Sequence, residues 1–171
     1  MISMIVWEVL SLFGNIWVWI ILTLASIVFF FLLTGEKREY IVFFLKRILP
    51  SVFLARFFTE ILKQVFRIER PCLGLNFCPS TYSFPSGHAS VIFAAVTAII
   101  LKKKDKRLAA FLLIFASLVD LSRLMLNVHR IEDVIIGSFI GMISALSVEK
   151  VFQKWGSRDL NPGHRLPKPR S

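Results

Sequence analysis

From Val9 to Gly35 the chain runs for 27 residues without a charge. About 20 apolar residues in an α-helix cross the hydrocarbon of a bilayer, so this run alone places the chain in a membrane. It is too long for a secretory signal, and no Lys or Arg precedes it. Composition agrees: 56% of the 171 residues are hydrophobic, 17 are Phe, and only 19% are charged. Soluble domains carry charge on about a quarter of their residues. Low charge also excludes a disordered tail, and two cysteines are too few for a disulfide scaffold or a zinc site. A net charge of +10 would suggest nucleic acid in a soluble protein. Here the basic residues fall between apolar runs and report topology instead.

The apolar pattern predicts an all-α integral membrane bundle with about five transmembrane helices. They are expected near 13–34, 40–66, 85–101, 108–126 and 132–151, in one membrane-embedded domain over 1–151. A basic tail, 152–171, follows with Pro162, Pro167 and Pro169, and is expected to be surface-bound or disordered on the cytoplasmic side. Met1–Leu12 is expected to precede the first span as a short interfacial helix. In the second span, Pro50 predicts a kink and Arg56 and Glu60, four apart, predict an ion pair facing protein. Lys and Arg number four in 35–47, five in 102–107 and six from Lys150 onward, against Arg67, Arg70 and Arg130 in the opposite loops. This bias puts the richer side in the cytoplasm and the other side outward. Lys37, Arg38, Lys46, Arg47 and the 102–107 run read as headgroup anchors. Trp7, Trp17 and Trp19 read as interface or packing aromatics.

The chemistry-bearing residues collect on the outer side. Lys63 and Arg70 are seven apart, about two helical turns, and so share a face. Pro71 then turns the chain. Pro85-Ser86-Gly87-His88 opens the third span, where Ser86-Gly87 offers backbone N–H groups to an anion. Ser122-Arg123, His129 and Asp133 bridge the fourth and fifth spans. His129 and Asp133 are four apart, so the carboxylate can bind one ring nitrogen and leave the other as acceptor or nucleophile. Three cations with those amides suit a tetrahedral dianion, which is phosphate. Asp120 is expected to pair with a motif cation, with helix packing as its plain alternative. Arg67 and Arg130 stand beside the motif, to draw in anionic headgroups, to contact a second phosphate or simply to be solvated, and His164 in the tail has no role. Cys72 and Cys78 flank five residues of the outer loop. In an oxidising compartment they predict a disulfide holding that loop, against two free thiols.

Lys63-x6-Arg70-Pro71, Pro85-Ser86-Gly87-His88 and Ser122-Arg123-x5-His129-x3-Asp133 resemble the three-part signature of the type 2 phosphatidic acid phosphatase (PAP2) family. Every fixed position is filled, in the right order. Many relatives have six spans where this chain predicts five. The resemblance implies a membrane lipid phosphate phosphatase, acting on lipid A 1-phosphate, phosphatidylglycerol phosphate or undecaprenyl diphosphate. It implies His129 as nucleophile through a phosphohistidine, Asp133 orienting it, and His88 as general acid. Lys63, Arg70, Ser86, Gly87 and Arg123 would hold the phosphate. It implies no metal or cofactor, a lipid substrate in the bilayer, no nucleic-acid or protein partner, and a multi-pass place in a bacterial-type inner membrane with the site facing the periplasm. A lipid phosphotransferase would carry the same motif. A vanadium haloperoxidase would share the anion pocket but is larger and soluble, and a non-catalytic lipid binder or transporter has little need of the His129–Asp133 pair.

Overall fold

The computed structural model describes residues 2–72 and 78–159, and among them every regular element is helical. Two helices come first: α1 (Ile2–Leu12) and α2 (Ile16–Leu32), bent by 47° at the break between them. Asn15 makes the bend by capping α2, its side chain accepting the Trp17 N–H at 3.0 Å. Trp19 closes the elbow by donating its indole N–H to Phe13 O at 3.0 Å. The next helical run is continuous from α3 (Glu36–Phe43) through a π-helical turn (Phe44–Ile48) into α4 (Leu49–Phe66). Pro50 explains the π-turn. Proline cannot donate an N–H, so the ladder is interrupted there, and Leu49 N–H reaches five residues back to Phe44 O. The expected kink is thus a π-bulge placed just before the proline.

Helices α5 (Gly87–Lys103), α6 (Lys106–Met125) and α7 (Ile131–Asp159) complete the bundle. The last extends beyond the predicted boundary at 151, because a helix satisfies its own backbone bonds whether or not lipid surrounds it. His164 and the three prolines of the tail lie outside the described residues. Among the described residues α6 and the Ile131–Trp155 stretch of α7 are long and apolar enough to cross a membrane by themselves, and the bent α1–α2 pair adds a third. The other two of the five expected spans fall short for visible reasons. α4 carries Arg56, Glu60 and Lys63, and α5 has 17 residues. α5 is shielded by protein, lying at the centre and packed by α4, α6 and α7, while α4 turns an apolar face with Phe53, Phe57 and Ile61 outward.

The seam between α5 and α7 is built almost without side chains. A Cβ on Gly137 would stand 2.4 Å from Ser86 O, and one on Gly141 2.3 Å from Ser90 O. Ala145, fully buried, continues the row one turn later. Small residues at this spacing let two helix backbones touch, the usual way helices associate without a hydrophobic driving force. Exposed Phe, Leu and Ile side chains face outward from the bundle, as lipid contact requires, and α2 buries none of its side chains.

At the end of the bundle rich in Lys and Arg, Arg47 pairs with Glu149 across α7 and stacks over Phe152 at 4.4 Å. Arg47 is therefore a helix clamp, not a headgroup anchor. Arg38 lies over Phe30 at 4.1 Å and Lys103 over Tyr40 at 5.0 Å.

Gly141→Leu is expected to force the α5–α7 seam apart. Overpacking a tight core costs about 1–3 kcal/mol or more, so detergent-solubilised protein should melt several degrees lower or lose its monodisperse form. A melting point equal to wild type would show that the seam is not close-packed.

Candidate active site

Four helix ends meet opposite the Arg47 clamp: the C-termini of α4 and α6 and the N-termini of α5 and α7. α4 stops at Arg67, whose left-handed conformation (φ 49°) caps the helix. The chain then passes Arg70 and Cys72, which is joined to Cys78 by a disulfide with Cα atoms 5.5 Å apart. Beyond Cys78 the loop wraps back over the site. Lys63 Nζ donates to the carbonyls of Tyr82 and Ser83. Arg70 donates through Nε to Thr81 O at 2.7 Å and through Nη2 to Thr81 Oγ1 at 2.9 Å, while Nη1 reaches Val128 O at 2.9 Å. Both cations are buried.

Ser86 caps α5, its side chain accepting the Ala89 N–H. Its own N–H is not free for an anion as the sequence suggests, because it donates to Asp133 O at 2.8 Å. That bond ties the start of α5 to the start of α7. The amides of Gly87 and His88, in the first helical turn, have no acceptor among the described residues. His88 is backed by the α1–α2 elbow. A Cβ on Gly14 would come within 2.7 Å of His88 Cβ, so only glycine lets the elbow close on it.

At the α6–α7 junction, His129 Nδ1 lies 3.3 Å from Asp133 Oδ2 and His129 Nε2 lies 3.1 Å from Arg70 Nη1. The guanidinium can only donate, so Nε2 is the acceptor and Nδ1 carries the proton toward Asp133. Asp133 also accepts the Ser83 hydroxyl and, at 2.9 Å, the Arg130 N–H. Arg123 projects from the last turn of α6 and is 7% exposed, and its Nε has no hydrogen-bond partner among the described residues. Asp120 meets no motif cation: its Oδ2 accepts from Ser138 of α7 at 2.7 Å, making it a helix-packing contact.

The structure thus brings together Lys63, Arg70, Ser86, Gly87, His88, Arg123, His129 and Asp133. It adds Ser83 and Thr81, which sequence reasoning missed. Neither had a motif to mark it, but both lie in the loop that the disulfide holds. A depression of about 410 Å³ has His129, Arg130 and Pro71 in its wall. A larger cleft of about 930 Å³, lined by Arg38, Lys46, Lys102 and Lys104, lies at the opposite end and holds none of these residues.

Burial lowers the His129 pKa to about 4, outweighing the opposing hydrogen bond from Asp133 and reinforced by Arg70, Arg123 and Lys63. The imidazole is therefore neutral at pH 7. Arg70 is lowered by burial against the partial support of Asp133. A neutral, oriented imidazole beside buried cations has the chemistry that nucleophilic attack on an anion requires.

Residues 44–157 match the PAP2 superfamily. The chain belongs to that superfamily. The resemblance carried by the three motifs is thereby borne out. An undecaprenyl-diphosphatase of Sulfolobus acidocaldarius is 29% identical over 143 residues, covering 82% of this chain and 66% of the relative. The chain spans just under two thirds of that relative's length. Among solved structures, Aquifex aeolicus LpxE superposes with a TM-score of 0.67 at 24% identity, over 87% of this chain and 86% of that one. A transmembrane PAP2-type phosphatidylglycerolphosphate phosphatase from Bacillus subtilis superposes with a TM-score of 0.70 at 22% identity, over 89% and 77%. The fold is that of a PAP2 membrane bundle.

Nitrogen NMR of the imidazoles should show His129 neutral down to about pH 5, with a midpoint near 4. Asp133→Asn should lower that midpoint further, since the carboxylate raises it. A midpoint near 6.5 would show that His129 is solvated, not buried.

Proposed function

We propose that this PAP2 protein is a lipid phosphate phosphatase working through a phosphohistidine. The observation that carries the reading is Arg123, a buried guanidinium with an unpartnered Nε beside a neutral, oriented imidazole. Burying an unpaired cation is costly unless an anion joins it in function. The names of the relatives support a lipid phosphate or diphosphate as that anion.

His129 Nε2 attacks phosphorus in line, forming the N–P bond as the P–O bond to the lipid breaks. Arg70 Nη1, now on Nε2, moves its bond to a phosphate oxygen. His88 gives a proton to the departing oxygen and then takes one from the water that cleaves the N–P bond, releasing inorganic phosphate. Asp133 keeps the proton of Nδ1 in place and stabilises the positive charge of the intermediate, and Ser83 fixes Asp133. Lys63, Arg70, Arg123, the Ser86 hydroxyl and the Gly87 amide hold the three equatorial oxygens. These cations supply the charge that a divalent metal would otherwise bring, so the reaction is proposed to need none.

The membrane-embedded domain over residues 1–151 carries the site, and the basic segment beyond it is proposed to lie in the cytoplasm. The excess of Lys and Arg at the Arg47 end supports that orientation. It turns the catalytic end toward the periplasm or exterior, at the depth of lipid phosphates in the outer leaflet of a bacterial-type inner membrane. The disulfide agrees with an oxidising compartment on that side.

The test is phosphate release from a panel of lipid phosphates in detergent micelles containing EDTA. Wild type is expected to release phosphate and His129→Ala to release none. Equal release by the variant would remove the nucleophile, and loss of wild-type activity in EDTA would remove metal independence. Asp133→Asn should cost about 10⁴ in kcat, as when a triad carboxylate loses control of the tautomer. The acid limb of kcat/KM should fall as pH drops through about 4, because protonating His129 Nε2 removes the attacking lone pair. A limb near pH 6.5 would contradict the burial argument.

A further inference from the structure

We infer that the cleft at the end of the bundle opposite the catalytic residues binds the head group of an anionic phospholipid, a phosphodiester held between α3, α5 and α7. This site is separate from the proposed substrate site and does not depend on the chemistry there.

The cations of the cleft come from distant parts of the chain. Arg38 belongs to α3, Lys46 to the π-helical turn, and Lys102 and Lys104 to the end of α5. The fold brings all four to one cleft of about 930 Å³. Among the described residues, Lys46, Lys102 and Lys104 are exposed and make no ion pair or side-chain hydrogen bond. Arg38 lies over the Phe30 ring at 4.1 Å, with no acidic partner. The acids in the wall are Glu39 and Glu149, and Arg47 already takes Glu149. Four cations without an ion pair thus share the cleft with one carboxylate. Gathered like charges repel each other until an anion joins them.

The apolar part of the wall decides between a lipid and a free anion. Phe43, Leu101, Phe152 and the exposed Trp155 line the same cleft. A Trp at the end of a membrane bundle lies at head-group level, where basic side chains meet lipid phosphates. A soluble anion has no use for those rings. A phospholipid sets its phosphate on the cations and its glycerol and first methylenes on the rings. The segment after Asp159 has the wrong charge to fill the cleft, since it adds Arg165, Lys168 and Arg170 and neither Asp nor Glu. With the orientation proposed above, the lipid comes from the cytoplasmic leaflet. Its head group would tie α3 to the ends of α5 and α7, beside the contact of Lys103 over Tyr40 at 5.0 Å.

The test is native mass spectrometry of the full chain in non-ionic detergent, titrated with phosphatidylglycerol or with phosphatidylcholine. Phosphatidylglycerol is a diester and offers no terminal phosphate to His129. Wild type is expected to bind it about tenfold or more tightly than phosphatidylcholine. Combining Lys46→Gln, Lys102→Gln and Lys104→Gln should erase most of that preference. These side chains have no ion pairs to lose, so the variant should fold as wild type does. Combining Lys106→Gln, Arg107→Gln and Lys150→Gln removes equal charge outside the cleft and should leave the preference in place. No preference in wild type, or an equal loss in both triple variants, would overturn the inference, the second by showing only diffuse charge attraction. A loss in Arg123→Gln with none in the cleft variant would place the lipid at the catalytic end and overturn it as well. So would displacement of phosphatidylglycerol by inorganic phosphate, which would make the cleft a site for a free anion.

Discussion

The site depends on one backbone hydrogen bond, Ser86 N–H to Asp133 O at 2.8 Å. It joins the first turn of α5, which presents the amides proposed to bind the anion, to the first turn of α7, which presents the carboxylate bonded to His129. Below it, Gly137 and Gly141 bring the two backbones into contact, so the bond has no slack to absorb. The proposed cradle and the proposed nucleophile are therefore held in register by main chain. Flexible side chains need only complete the geometry.

The loop between α4 and α5 completes it. Its carbonyls receive Lys63 and Arg70, and its Ser83 hydroxyl braces Asp133 at Oδ2, the same oxygen that faces His129 Nδ1. The Cys72–Cys78 bond closes the start of that loop. A charged site inside a bilayer must satisfy every donor locally. Arg70 shows how completely this is done, with Nε, Nη1 and Nη2 all engaged. Arg123 stands out because its Nε is not.

The helical class, the approximate spans and the clustered motif residues were legible in the sequence because each rests on a short-range rule. Charge-free length marks a span, and fixed spacing puts Lys63 or Asp133 on a known face. Interactions spanning unrelated segments were not legible. Arg47 looks like an anchor until Glu149 is placed opposite it, 102 residues away. Asp120 looks like a partner for a cation until Ser138 is found nearer. Nothing in the sequence marks Gly14, which matters only because His88 stands against it. The Gly137-x3-Gly141 pair did carry a readable signal, the small-x3-small spacing of touching membrane helices. The extra length of α7 carried none, since Lys150 and Lys154 end an apolar run without ending a helix.

The peripheral place of α2 has a mechanical consequence. None of its side chains is fully buried, and it is anchored near its start, where Ile16 packs on the core and Trp19 stacks on Phe44 at 6.2 Å, and at Phe30 beneath Arg38. Membranes differ in thickness, and a helix adapts to mismatch by tilting. α2 can tilt without moving α5 against α7, whose glycine seam is closed by backbone. A change in bilayer thickness would thus meet the free half of α2 at the rim before it met the backbone-closed seam between α5 and α7.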